Sequence, residues 1–236
     1  SSDLPNKTET IQFSKKRIPR PRPPLYMQDT PVLEVKEHKH LGIVFQEDGL
    51  WSGQIDNIVD KVTPMINCLR SLKYRLNRKS LMTLYKSFIL PLFDYCSYVW
   101  DNCTAAQSFR LEKLQLDALR TICGATRGTS HKKLYDETDF IPLVERRRAQ
   151  KLSFFHKMIN GNVPDYLSEI VPNFVSNNNP YELRNSSNLQ NVYARTAIYS
   201  KSFLPSTVDL WNSLPNDIKS IQTSKTFTEK IYPRTE

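Results

Sequence analysis

From Ser52 to Leu72 the apolar residues recur at the spacing of one helical face, and this pattern constrains the fold more than any other feature. They lie three, four or seven positions apart: Ile55, Ile58, Val59, Val62, Ile66, Leu69 and Leu72. The period predicts a long amphipathic helix that buries one face. Ser52 is the residue type that caps such a helix at its N-terminus, and we expect it to do so here.

Similar patterns predict more helices downstream. One starts near Asn77, is kinked or ended by Pro91, and carries inward Leu81, Leu84, Tyr85, Phe88 and Ile89. The next has a capping box formed by Thr104 and Gln107 and a C-terminal cap at Gly124. Two further capping boxes are expected near the C-terminus, at Ser206 with Asp209 and at Thr226 with Glu229, around a core of Trp211, Leu214, Ile218 and Phe227.

A further helix is predicted from Leu143 to Asn160. Its inner face would carry Val144, Leu152, Phe155 and Ile159. Its basic residues are expected to lie largely outside, in solvent: Arg146, Arg147, Arg148, Lys151 and Lys157.

The remaining segments have weaker patterns. Residues 1–31 combine basic residues with prolines, which indicates an extended basic arm. Apolar runs at 32–35 and 40–45, followed by the turn residues Glu47-Asp48-Gly49, predict a small β-hairpin or strand pair. Residues 173–195 are rich in asparagine and serine and are expected to form a polar loop.

The charge of the chain favours polyanionic partners. Its formal net charge is +9 and its isoelectric point is about 9.3. The segment 61–93 has no acidic residue but contains Lys61, Arg70, Lys73, Arg75, Arg78, Lys79 and Lys86. Five of these seven fall between 70 and 79, at a predicted junction of two helices, where they could meet a sugar-phosphate backbone. A solvated basic face is the alternative, and charge alone weights the two equally.

No catalytic or metal-binding residue can be assigned. The chain has no Asp-Asp pair, glycine-rich phosphate loop or Gly-x-Ser-x-Gly motif, and its histidines lack the spacing of a helical zinc site. The four cysteines lie far apart, which predicts free, mostly buried thiols. No apolar run approaches the roughly 18 residues of a membrane span, so we expect a soluble intracellular protein, in the cytoplasm or nucleus, without membrane or small-molecule partners.

A series of short motifs runs along the whole chain. The first are Asn-Lys-Thr-Glu at 6–9, Phe13-Ser14-Lys15 and the run from Val35 through Lys-His-Leu-Gly at 39–42 to Ile43. The central ones are Pro91, Tyr95 and Trp100, then Gln115, Arg120 and Gly124. The last are Arg148 to Lys157, Gly161 to Leu167, Tyr181 to Arg184, Arg195-Thr196, Ser202-Phe203-x-Pro205 and Trp211-Asn212-x-Leu214-Pro215. In order and number they resemble the C-terminal half of reverse transcriptases from jockey-like non-LTR retrotransposons.

The resemblance implies a mainly α chain with a small β element, an α+β fold in three parts. Residues 1–50 would be a basic arm and β-hairpin, the last part of a polymerase palm. Residues 51–128 would be a helical thumb-like domain, and 129–236 a helical C-terminal extension. The metal-binding aspartates of such enzymes would lie upstream, so the chain is expected to be a fragment that is inactive alone and binds no cofactor, magnesium being expected only in an intact polymerase.

RNA and DNA, as template and primer, are the implied partners. The resemblance places Lys7 near the phosphates of an incoming nucleotide, and His40, Leu41 and Gly42 in a hairpin beside the primer. Charge adds the candidate nucleic-acid contacts Lys15, Lys16, Arg17, Lys39, Arg70, Lys73, Arg75, Arg78 and Lys79. A non-catalytic nucleic-acid-binding module is one alternative. A helical protein-interaction domain that exposes Phe203 and Trp211 is another.

Overall fold

The computed structural model describes residues 8–14, 23–27, 29–178 and 187–232, and within them the chain is mainly helical with small β elements, as expected. The strands are β1 (Glu9–Thr10), β2 (Tyr26–Met27), β3 (Thr30–Pro31), β4 (Leu33–Glu34), β5 (Glu37–His40) and β6 (Ile43–Gln46). The longer helices are α1 (Ser52–Leu72), α5 (Ala105–Cys123), α7 (Leu143–Ile159) and α10 (Phe203–Asn212). The shorter ones are α2 (Arg78–Leu84), α3 (Leu90–Asp94), α4 (Ser97–Trp100), α6 (His131–Thr138), α8 (Asp165–Ser168), α9 (Ala197–Ser200), α11 (Asn216–Lys219) and α12 (Ser224–Ile231).

The strands form three two-stranded sheets. β1 pairs with β4 in parallel, β2 with β3 antiparallel, and β5 with β6 as an antiparallel hairpin in which His40 faces Ile43. The predicted turn after β6 is present, with Gly49 at φ 67°. A small β-hairpin is therefore present, but the first apolar run, at 32–35, is not one of its strands: Leu33 and Glu34 of that run form β4, which pairs with β1. The hairpin is the part of the described N-terminal region that reaches the core, through Ile43 and Val44.

The N-terminus of α1 is not capped by Ser52, which was predicted to do so. Ser52 is the first residue of the helix, and the preceding Trp51 makes no side-chain cap bond. Instead the Gln46 Oε1 atom accepts the Gly53 N–H at 2.8 Å and the Ser52 hydroxyl at 2.7 Å. A side chain from strand β6 thus satisfies a free helix N–H group, which fixes the hairpin against α1.

The first hydrophobic core lies between α1 and α5. The predicted inner face of α1 is buried at Ile55, Ile58, Val62, Ile66 and Leu69. Both ends of α5 agree with the sequence: Thr104 and Gln107 form the capping box, and Gly124 ends the helix at φ 65°. The core also takes in Phe140 and Leu143, beyond residue 128.

The segment from Arg78 to Asp94 is helical throughout, but five residues, Tyr85–Ile89, form a π-helical turn. The wider turn shifts the later side chains around the axis. Tyr85, Ile89 and Phe93 are therefore buried, whereas Phe88, which was expected inside, is 62% exposed. Pro91 does not end the helix, which continues to Asp94.

The second hydrophobic core lies between α7, α10 and α12. It is built on aromatic rings: Phe155, Trp211 and Phe227 are all buried, and the Trp211 and Phe227 rings stack at 5.7 Å. The capping boxes predicted at Ser206 and Thr226 are wrong, because α10 already begins at Phe203 and α12 at Ser224. Among the described residues, no helix combines the length and apolar character that crossing a membrane requires.

Helix α7 joins the two cores and corrects the predicted distribution of its side chains. Leu143 belongs to the first core, whereas Leu152, Phe155 and Met158 belong to the second. Val144, expected inside, is 50% exposed. Arg147 and Lys151, expected in solvent, are 2% and 3% exposed. They are buried because α4 and α10 pack against that face of α7, where Asp101, just after α4, and Ser206 of α10 supply polar partners.

Candidate nucleic-acid interface

The tip of the β5–β6 hairpin is an exposed two-residue turn. Leu41 and Gly42 have φ values of 46° and 85°, the pair of positive values that defines a type I′ turn. Leu41 is 77% exposed, and the neighbouring His40 and Lys39 are exposed as well. The Tyr95 hydroxyl, at the end of α3, donates a 2.7 Å hydrogen bond to the Leu41 carbonyl. The three predicted hairpin residues therefore lie together at a surface held in place by the helical bundle.

The five basic residues predicted at the helix junction all lie at its surface, and two of them are paired with acidic residues. Arg70 pairs with Asp117 of α5 at 3.4 Å, and Arg78 pairs with Glu137 of α6 at 3.9 Å. Within the described ranges Lys73, Arg75 and Lys79 make no ion pair. Asn77 caps α2 by accepting the Ser80 N–H at 2.9 Å, which sets where the junction turns. The junction is thus basic and partly neutralised.

A groove forms where the C-terminal ends of α1 and α5 lie side by side, and we call it the basic groove. Its volume is about 520 Å³, and it is lined by Arg70, Lys73, Tyr74, Asp117, Arg120, Thr121, Gly124, Ala125 and Arg127. Four cationic side chains face one carboxylate, which leaves a formal charge of +3. Tyr74 is 83% exposed at its edge, where a flat ring could stack on a base.

Arg120 and Arg127 were not among the predicted site residues. Arg120 pairs with Asp117 at 3.3 Å, while its buried Nε atom has no hydrogen-bond partner. A sequence signal existed, since Arg120 lies in the last turn of α5 and Arg127 just beyond the Gly124 cap. Cations at helix C-termini also compensate the exposed carbonyl groups there, so a purely structural role is the alternative for Arg70 and Arg120.

The structure also locates some of the other predicted site residues and the cysteines. Lys7, Lys15, Lys16 and Arg17 lie outside the described residues. Lys39 belongs to the hairpin, and Arg75, Arg78 and Lys79 do not line the basic groove. All four cysteines are free, as predicted, but Cys68 is exposed and the other three are only partly buried.

No group of three or more His, Cys, Asp or Glu side chains in the described part of the chain could hold a metal ion. The adjacent Asp136 and Glu137 are exposed on α6. Trp211 is 2% exposed and Phe203 is partly buried against Tyr98 and Phe154. The exposed tryptophan patch that a protein-interaction surface would need is therefore absent at this position.

Comparison with known proteins gives one informative match. Over 122 residues, half of this chain, the sequence is 24% identical to a probable RNA-directed DNA polymerase from transposon X-element of Drosophila melanogaster. The aligned region is 13% of that protein's length. No protein-family model matches the chain, and no solved structure matches it. The similarity supports a relationship to the reverse transcriptases of transposons.

Proposed function

We propose that this chain is part of a non-LTR retrotransposon reverse transcriptase, of the jockey-like type, and that it binds template and primer without supplying the catalytic aspartates. The observation that carries the proposal is the basic groove, together with the similarity to a transposon polymerase. In this proposal residues 1–50 are the end of the palm, 51–128 the thumb and 129–236 an extension.

The basic groove has the chemistry that a nucleic-acid backbone requires. Its cations come from two helices and the loop after α5, so they are spread along a surface rather than concentrated at one point. Lysine and arginine side chains release condensed counterions when they contact phosphates, and an exposed tyrosine beside them can stack on a base. Lys73, whose ammonium lies 4.7 Å from the Tyr74 ring centre, combines both features.

The hairpin tip would lie beside the primer. Its turn residues are exposed, while its base is fixed to α1 through Gln46 and its tip to α3 through Tyr95. Lys7, Lys15, Lys16, Arg17 and Lys39 are proposed as further phosphate contacts on the charge of the sequence. Arg75, Arg78 and Lys79 are proposed as contacts adjoining the groove.

Binding of an RNA–DNA hybrid duplex, followed by fluorescence anisotropy between 50 and 200 mM salt, tests the proposal. The double variant Lys73→Gln with Arg127→Gln should flatten the salt dependence by roughly two units, about one for each lost phosphate contact. The matched control is Lys225→Gln with Lys230→Gln, which removes the same charge from exposed positions on α12. Equal effects of the two double variants would show that only overall charge matters.

The triple variant Arg75→Gln, Arg78→Gln and Lys79→Gln separates the junction from the groove. If the template crosses both the junction and the groove, the salt dependence of binding by this triple variant should also flatten. An unchanged slope would restrict binding to the groove. Primer extension with magnesium and all four nucleotides should give no product from this chain, because the two-metal step needs carboxylates that we place outside it. Robust synthesis would contradict that assignment.

A non-catalytic nucleic-acid-binding module remains the second candidate, favoured by the same basic groove. The two differ in ligand preference. A polymerase thumb should bind a recessed primer–template junction more tightly than a blunt duplex of equal length, whereas a general module should bind both alike.

A further inference from the structure

A second cavity lies at the other end of α5, away from the basic groove. Its volume is about 1100 Å³, and α10, the N-terminal part of α5 and one face of α7 contribute to its walls. Asp101, Ser108, Arg147, Lys151 and Ser206 contribute to one side of it. Phe109 and Val144, which are 52% and 50% exposed, contribute apolar surface.

Arg147 and Lys151 form a buried cluster that has one positive charge too many. Their side chains are each 3% exposed, and both pair with the same carboxylate, Asp101: Arg147 Nε at 3.3 Å and Lys151 Nζ at 3.1 Å. Two cations facing one carboxylate leave a charge of +1. Arginine does not release its proton in proteins, so this charge is not removed by neutralising Arg147.

Among the described residues, none of the other acidic side chains that line the cavity forms an ion pair with Arg147 or Lys151. Glu112 accepts a hydrogen bond from the Tyr135 hydroxyl and a 2.9 Å bond from the Leu143 N–H at the start of α7. Asp209 is exposed, as are Lys201 and His131, so these three side chains lie in solvent at the rim. The Trp100 ring, 5.5 Å from the Arg147 guanidinium, offsets only part of the charge.

The hydrogen bonds of the cluster are also incomplete. Arg147 Nη2 donates to Ser108 Oγ at 2.6 Å, and Lys151 Nζ donates to Ser206 Oγ at 2.7 Å. Arg147 Nη1 is buried and donates to no protein acceptor. Two buried cations that share one carboxylate, with one guanidinium nitrogen lacking an acceptor, are costly to keep, and their retention indicates a ligand.

We propose that this cavity binds a phosphate group carried on an apolar or aromatic body, of the size of a nucleoside monophosphate. The phosphate oxygens would accept from Arg147 and from the third proton of Lys151, and the body would lie against Phe109 and Val144. A phosphate fits better than a carboxylate because its tetrahedrally arranged oxygens can accept from both side chains at once. The proposal does not depend on nucleic-acid binding at the basic groove.

Isothermal titration calorimetry of the full chain tests the site, with AMP, adenosine, inorganic phosphate and benzoate as probes. AMP should bind at least tenfold more tightly than adenosine, which lacks the phosphate, and more tightly than inorganic phosphate, which lacks the body. Arg147→Met should weaken AMP binding at least tenfold, whereas Arg148→Met, on the exposed neighbour, should leave it unchanged. Equal binding of AMP and adenosine, preference for benzoate, or no heat with AMP would each overturn the proposal.

Two further variants keep the test decisive if Arg147→Met does not fold. Phe109→Ala changes an exposed wall residue and should weaken AMP several-fold while leaving inorganic phosphate unchanged. The Lys73→Gln, Arg127→Gln variant of the basic groove should retain AMP binding. If this variant loses AMP binding, the phosphate binds in the groove and the proposed cavity site is refuted.

Competition experiments identify where the phosphate comes from. A 5′-phosphorylated oligonucleotide that competes with AMP, where its 5′-hydroxyl form does not, would identify a strand end as the source. If neither oligonucleotide competes with AMP, the ligand is a free nucleotide. Either of these two outcomes supports a phosphate site in the cavity.

Discussion

The Tyr95 hydroxyl lies 2.7 Å from the Leu41 carbonyl oxygen and donates a hydrogen bond to it, although 54 residues separate the two in sequence. The bond joins the end of α3 to the tip of the β5–β6 hairpin. The Tyr95 ring also covers Gly42, where an added Cβ atom would lie 3.3 Å from Tyr95 Cε1. The hairpin tip is thus positioned by the helical bundle.

Replacing Tyr95 with Phe should loosen this contact. Removing the hydroxyl deletes one hydrogen bond, so the free energy of unfolding should fall by about 1 kcal/mol. Amide hydrogen exchange should accelerate at Gly42 and Ile43. Tyr74→Phe is the matched control, because Tyr74 is 83% exposed and its hydroxyl makes no hydrogen bond in the described structure. Unchanged exchange at the tip would show that other contacts hold the hairpin.

Leu41 occupies a left-handed backbone position that suits asparagine or glycine better than leucine. Leu41→Asn should therefore raise the free energy of unfolding by about 1 kcal/mol, as measured by urea denaturation. Leu50→Asn, at an exposed leucine without a positive φ, should give no such gain. If Leu41 is kept for contact with a primer, the stabilised variant should bind the recessed junction more weakly.

The charge excess around Asp101 predicts different outcomes for substitutions of Arg147 and of Asp101 itself. In phosphate-free buffer Arg147→Met should change the free energy of unfolding by less than about 1 kcal/mol, because it leaves a neutral Lys151–Asp101 pair. Asp101→Asn should lower it by about 3 kcal/mol, since two buried cations then lack a counterion. Chemical denaturation measures both. A large loss in Arg147→Met would mean that packing against Trp100 outweighs the charge.

Alkaline pH should destabilise the fold through Tyr85. Burial raises the pKa of this tyrosine well above its ordinary value, and the nearby Glu112 carboxylate raises it further. A raised folded-state pKa gives stability that is complete below about pH 10 and is lost as the pH rises above it. Tyr85→Phe should therefore reduce the slope of unfolding free energy against pH by up to about 1.4 kcal/mol per pH unit. Tyr166→Phe, at an exposed tyrosine, is the control.

The sequence correctly predicted several features that depend only on residues close together along the chain. The capping box at Thr104, the Gly124 cap and the buried face of α1 follow from local chemistry and period, and all are confirmed. The inward position of Phe88 failed because the π turn changes the period that the prediction assumed. No spacing in the sequence announces such a turn.

The composition of the candidate sites could not be predicted, because it depends on residues that are distant in sequence and meet only in the folded chain. Arg147 and Arg148 are adjacent and chemically identical, yet one is buried and the other exposed, because α4 and α10 cover one face of α7. Likewise, the basic groove unites Lys73 with Arg127 only because α1 and α5 end side by side. The sequence indicated the basic character of the junction, and the fold selected which of its cations meet.

Helix α7 contributes Leu143 to one hydrophobic core and Phe155 to the other. Neither core is complete without it, so the two halves of the molecule cannot melt independently. Heating should produce a single calorimetric transition, and a chain severed between α6 and α7 should leave an N-terminal piece that no longer holds a native near-ultraviolet spectrum. We therefore expect the hairpin, the bundle and the aromatic C-terminal core to unfold as a single cooperative unit.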